Sequence, residues 1–164
     1  MPERDAVDDM LEAWSAVRPD LDLAPMGTFG RLGRAFLHGS RAIEAVFEEH
    51  GLSTGEFDVL AALRRAGGDH TLSPGELSRT LMLSPGGMTN RLDRLEGAGL
   101  VERLADPNDR RSLQVALTAE GRRRVDEAVT DHVANEARLL SPLTERQRKA
   151  LDDALRVLLR ELEG

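Results

Sequence analysis

Two Ser-Pro pairs eleven residues apart, Ser73-Pro74 and Ser84-Pro85, constrain this chain more than any other feature. A serine before a helix satisfies a free backbone amide, and proline at the first helical position loses an N–H that has no partner there. Glu76, three residues after Ser73, completes a capping box. The spacing predicts a short helix over about 74–81 (PGELSRTL), a tight turn through LMLS, and a second helix over about 85–98 (PGGMTNRLDRLEGA) stopped by Gly97, Gly99 and Leu100. This is the helix-turn-helix arrangement, whose second helix can enter the major groove of DNA.

After the second helix, LVERLA and SLQVALT alternate apolar and polar residues, with Leu113, Val115 and Leu117 on one face. Asp106 to Arg111, rich in Asp, Asn and Pro, joins them as a turn. A helix-turn-helix followed by a hairpin is a winged helix. Residues 69 to 73 read as an ordinary loop before the first short helix. The flanks, residues 25–49, 119–138 and 145–162, are patterned as long helices, and Ser53 with Glu56 and Thr144 with Gln147 mark further starts. Leu151, Leu155, Leu158 and Leu162 form a stripe on the last one. Such a stripe can be covered by the same chain's other helices. Three long helices nevertheless exceed what a small winged-helix core needs, and a two-fold homodimer would bury the surplus.

The expected class is mostly α with an α+β wing. The chain divides into N-terminal helices (1–52), a winged helix-turn-helix (53–118) and C-terminal dimerisation helices (119–164).

Charge is uneven. The chain has a net charge of -7, yet residues 84 to 124 hold eight arginines against six acids. A local basic surface on an acidic protein suits a polyanionic partner and limits indiscriminate binding. There is no cysteine, which removes disulfides, thiolate metal sites and thiol redox sensing. The four histidines, His38, His50, His70 and His132, lack metal-ligand spacing. Neither a phosphate-binding glycine loop nor a nucleophile elbow occurs, and no acid–base or nucleophile constellation speaks for an enzyme. No metal or cofactor is expected. No apolar run reaches the ~20 residues needed to cross a bilayer, and the acidic start is unlike a secretory signal, so a cytoplasmic protein without membrane contact is expected.

At ~100° per residue, Met88, Leu92 and Leu95 form the inward stripe of the second helix. Gly86, Thr89, Asn90 and Asp93 point away, with Gly87 and Arg94 at the opposite edge. With Ser84 at the helix start, the glycines permit close approach of backbone amides to phosphate. Asn90 suits adenine, and Arg94 suits guanine or phosphate. Asp93 is the awkward member, since a carboxylate facing DNA repels phosphate unless it accepts from cytosine. In the wing, Arg110 suits the narrow minor groove, and Asp109 can orient a neighbouring arginine. The bland alternative for Asp109, Arg110 and Arg111 is a solvated charged hairpin. The rival function for the whole unit is a winged-helix protein-interaction module without specific DNA binding.

The segment SPGGMTNRLDRLEGAGLVER, followed by DPNDRR and VALTAEG, resembles the recognition helix, wing and exit helix of MarR-family transcriptional regulators over roughly residues 25–162. The resemblance implies a homodimer that binds a near-palindromic double-stranded DNA operator and usually represses until a small molecule binds. It also makes Arg111 the residue that stiffens the wing. EAWSAVRPDLDLAPMGTFGRLGRAF resembles the urate-responsive branch, which carries an extra first helix. That likeness implies a ligand site at Trp14, Asp58, Arg91 and Arg103 and a small anionic effector, urate or a related purine.

The residues themselves allow this. Arg91 lies about 60° from the centre of the buried stripe, flanks the core, and needs an anionic partner such as Asp58. The alternatives are that Trp14 merely packs a terminal helix, that Asp58 and Arg91 form a structural ion pair, or that the effector is a phenolic carboxylate.

Overall fold

The computed structural model describes residues 3–67, 71–105 and 113–164. Its described part is mostly helical. The elements run α1 (Ala6–Val17), α2 (Ala24–Glu49), α3 (Thr54–Arg65), β1 (Thr71–Leu72), α4 (Pro74–Thr80), α5 (Pro85–Gly97), β2 (Val101–Ala105), β3 (Leu113–Leu117), α6 (Ala119–Leu139) and α7 (Glu145–Glu163). Two compact units divide the chain after Ala42.

In the first unit, α1 starts at a capping box in which the Asp5 carboxylate accepts from the Val7 and Asp8 amides. Val7 is buried over Gly30, while Gly27 faces Leu11, so two glycines of α2 let the helices approach closely. Arg31 of α2 donates to Asp5 at 2.8 Å and to Asp8 at 2.5 Å, closing the exposed side of the pair.

The second unit holds the larger core. Leu60 and Leu63 of α3, Leu77 of α4, Met88, Leu92 and Leu95 of α5, and Val115 of β3 are all at most 1% exposed. The inward stripe expected on α5 is therefore buried as a set. Phe47 stacks on Phe57 with ring centroids 4.0 Å apart, and His132 of α6 tilts against both.

The sheet is a departure from expectation. The sequence reads residues 69–73 as a loop, but Thr71 and Leu72 form β1, antiparallel to β3 with Thr71 opposite Ala116 and Leu72 opposite Val115. The strand order is β1-β3-β2. A two-residue strand carries no readable alternation, and its pairing comes entirely from β3. The β2–β3 pair keeps one register from Val101 opposite Leu117 to Ala105 opposite Leu113.

A tight junction fixes the wing to α5. Gly99 has φ +71°, a left-handed conformation suited to glycine after a helix end. Thr118 Oγ1 donates to the Gly99 carbonyl at 2.7 Å and accepts from the Gly121 amide at 3.0 Å, capping α6 with the same hydroxyl. A Cβ on Gly121 would run into the Leu100 carbonyl oxygen, so only glycine fits where α6 passes the α5–β2 corner.

Among the described residues no helix is long and apolar enough to cross a membrane, and no cluster of three metal-ligating side chains occurs.

Candidate nucleic-acid interface

Helix α5 begins as its sequence dictates. Ser84 Oγ accepts from the Gly87 amide at 3.2 Å, Pro85 follows, and the first turn carries no acid. No carboxylate of that turn therefore cancels the partial positive charge of the helix start. A Cβ at Gly86 would meet nothing within 4 Å. Packing within the chain does not require glycine there, whereas close approach by an outside group would. Gly87 faces the Ser84 hydroxyl instead, at 3.3 Å from where its Cβ would lie.

Thr89 Oγ1 donates to the Pro85 carbonyl at 3.0 Å, leaving its lone pairs outward. Asn90 is exposed and makes no side-chain hydrogen bond among the described residues. Gly86, Thr89 and Asn90 thus share one open face of a well-capped helix.

The charged edges of α5 are braced from behind. Arg94 lies 3.4 Å from Glu56, the residue that closes the capping box of α3 by accepting from the Ser53 amide at 2.8 Å. Burial alone would push the Glu56 carboxyl up. The Ser53 hydrogen bonds, with Arg94 and Arg91 nearby, hold it below its ordinary value instead.

Asp93 finds its partner in Arg103 of β2, whose guanidinium donates to Asp93 at 2.6 Å and also to Glu96. The hydrogen bond that Arg103 donates to Asp93 is the first reason that the Arg103 pKa is raised. The awkward carboxylate of α5 is thus neutralised by the wing strand rather than presented bare.

Arg91 is half-buried and turns toward α3. Its guanidinium occupies the space that a Cβ on Gly55 would need, and it donates to the Gly55 carbonyl at 3.5 Å. That hydrogen bond goes to backbone, not to Asp58. Asp58 feels Arg91 electrostatically, but burial outweighs Arg91, Arg65 and His132, and its carboxyl is pushed up from the ordinary value.

Trp14 lies on α1 of the first unit. It is 44% exposed and shares a small apolar surface with Met10, Ala13 and Val17. Asp109, Arg110 and Arg111 lie outside the described residues.

The bracing acids Glu56 and Glu96 were not among the residues expected to matter here. Glu56 was visible as a cap. Its second partner, 38 positions on, and the pairing of Glu96 with Arg103 depend on how α3, α5 and β2 pack.

Comparison with known proteins converges on one family. A family model described as MarR family matches residues 50–112. The transcriptional regulator PecS of Dickeya dadantii is 42% identical over 145 residues, covering 88% of this chain and 87% of its own length. A mutant MarR of Escherichia coli solved with operator DNA superposes with TM-score 0.69 at 26% identity, covering 89% of this chain and 97% of that one. AbsC of Streptomyces coelicolor, a MarR family regulator, shares the fold with TM-score 0.77 at 23% identity, covering 88% and 97%. The capped and open-faced α5, the adjoining antiparallel wing strands and these matches have one explanation: this chain belongs to the MarR family, and it is a DNA-binding transcriptional regulator, not an enzyme.

Proposed function

We propose that this protein is a cytoplasmic repressor that binds a palindromic operator as a homodimer and leaves it when a small anionic ligand binds. The observation that carries the DNA half is the open face of α5, where Gly86, Thr89 and Asn90 stand clear of the fold beyond an acid-free helix start. Ser84, Gly86, Gly87, Thr89, Asn90 and Arg94 are the reading and phosphate-binding residues of this helix. Asp109, Arg110 and Arg111 serve the minor groove from the wing. In this division of labour residues 53–118 read DNA, while 1–52 and 119–164 supply the helices that pair the subunits.

The homodimer is supported by α7, which has no buried residue although Leu151, Leu155, Leu158 and Leu162 line one side of it. Within one chain Leu155 and Leu158 are only half-buried and Leu151 and Leu162 are exposed, and a second copy would cover them.

The ligand half rests on the resemblance to urate-responsive regulators at Trp14, Asp58, Arg91 and Arg103. It is supported by the state of two of them. Arg91 is a half-buried cation whose hydrogen bond among the described residues is a long one to a carbonyl, and Asp58, which feels its charge, is a carboxyl disfavoured in its charged form. A planar anion gives Arg91 a better partner and displaces Asp58, and the strain passes directly into α5.

The test is a mobility shift with the protein's own upstream intergenic DNA at stated salt, titrated with urate, xanthine and salicylate. Specific binding released by urate is the expected result. Release by salicylate alone moves the effector to the phenolic carboxylates. Binding that ignores all three removes the ligand site and keeps the regulator.

A further inference from the structure

Met82, in the turn between α4 and α5, has φ +51°, the one positive φ outside glycine among the described residues. The turn holds it there. The Met82 amide donates to the Arg79 carbonyl at 3.3 Å and the Leu83 amide to the Ser78 carbonyl at 2.9 Å. Leu81 and Leu83 on either side pack against the core, so the Met82 side chain is thrown outward and is 92% exposed.

A non-glycine residue in this conformation is strained, and an exposed side chain recovers none of that strain by burial. Glycine would relieve the strain. Among the described residues, no burial of the methionine side chain offsets that strain. The side chain lines a groove of about 490 Å³ together with Ser78 and Arg79 of α4 and Pro85 and Thr89 of α5. Thr89 belongs to the open face of α5, and Arg79 adds a cation on the same groove. The groove is therefore continuous with the DNA-reading surface.

We infer that Met82 is an apolar DNA contact, its thioether chain packing on the rim of the groove against deoxyribose carbons or a thymine 5-methyl group at the edge of the half-site. This rests on α5 being the reading helix. Methionine suits the task because its unbranched, flexible chain moulds to an irregular apolar surface, and contact with the thymine methyl is one of the ways a groove is read.

The experiment is equilibrium binding of the full chain to its upstream operator duplex over a salt series, paired with thermal unfolding. The proteins are the parent, Met82→Gly, Met82→Asn, Met82→Leu and, as a control on α5, Asn90→Ala. Met82→Gly and Met82→Asn are expected to weaken binding by about fivefold to tenfold, the loss of roughly half a buried methionine. Their Tm is not lowered, and the slope of affinity against salt is unchanged because no phosphate contact disappears. Met82→Leu, which keeps an apolar chain, recovers most of the loss.

If Met82→Gly and Met82→Asn bind like the parent while Asn90→Ala is weakened, the inference is overturned and α5 remains the reading helix. If neither position matters, both fall together. A loss accompanied by a change of about one in the salt slope also overturns it, because that marks a displaced phosphate contact. Should glycine lower Tm, Met82→Asn against Met82→Leu at a temperature where both are folded decides the matter, and equal affinities overturn the inference. Deoxyuridine in place of thymine at the half-site edges separates the two sources. Loss for the parent but not for Met82→Gly identifies the methyl group, and no loss identifies the sugar.

Discussion

Asp93 shows how much a single residue's meaning depends on its partner. On a helical wheel it is a carboxylate aimed at phosphate. In the fold it is one of two acids held by Arg103, which is 25% exposed. Removing Arg103 leaves Asp93 and Glu96 unbalanced on α5, the proposed reading helix. Arg103→Ala is expected to cost about 1 kcal/mol of stability and to weaken operator binding several-fold, with Asp93→Asn in the same chain restoring part of the affinity. A double-mutant cycle by denaturant unfolding and duplex titration checks both.

Asp58 gives a pH prediction of opposite character to a paired acid. Burial raises its pKa in the folded state above the value in the unfolded chain, so the neutral form is the one the fold favours. Its contribution to stability is full below the ordinary carboxylate pKa and is lost as pH rises through the elevated one. Asp58→Asn is therefore expected to raise Tm at pH 7 and to match the parent near pH 4. A Tm difference that grows on acidification would contradict this.

Among the elements, the corner joining α5, β2 and α6 is the least tolerant of change. The atom that a Gly121 side chain would meet is backbone, the Leu100 carbonyl, which cannot swing aside as a flexible side chain does. Gly121→Ala is expected to cost about 2 kcal/mol or more, seen as a lowered denaturant midpoint. At Gly55 the obstacle is the far end of Arg91, which can move. Gly55→Ala is expected to change stability by less than ~1 kcal/mol while altering whatever response depends on Arg91. The comparison of the two alanines separates a backbone clash from a displaceable side chain.

At the scale of the molecule, the exposed apolar residues define what one chain leaves unfinished. Besides the α7 stripe, Phe29 at 60% and Phe36 at 75% exposure stand out from α2. In the proposed homodimer a second copy would cover such exposed aromatics and leucines. Leu151→Glu with Leu158→Glu is expected to shift sedimentation from dimer to monomer and to reduce operator affinity far more than either half-site contact, because two reading helices then no longer bind together. A variant that stays dimeric would show that α7 is not the pairing helix, and a monomer that retains full affinity would show that operator binding does not need the pair.

Much was legible beforehand because it is written locally. Ser-Pro starts, capping boxes and the period-3.6 stripe of Met88, Leu92 and Leu95 specify helix starts and the buried face of α5 with no reference to the rest of the chain. The outward position of Asn90 follows from the same geometry. What the sequence could not supply are the partnerships between residues far apart along the chain. β1 exists only because β3 offers it hydrogen bonds. Arg94 meets Glu56 and Arg103 meets Asp93 only because α3, α5 and β2 pack on one core. Met82 is strained only because Leu81 and Leu83 both insert into that core. Local hydrogen bonding and periodicity act within a few residues and can be read from one strand of text. Pairing across the core depends on distances that are set when the whole unit closes.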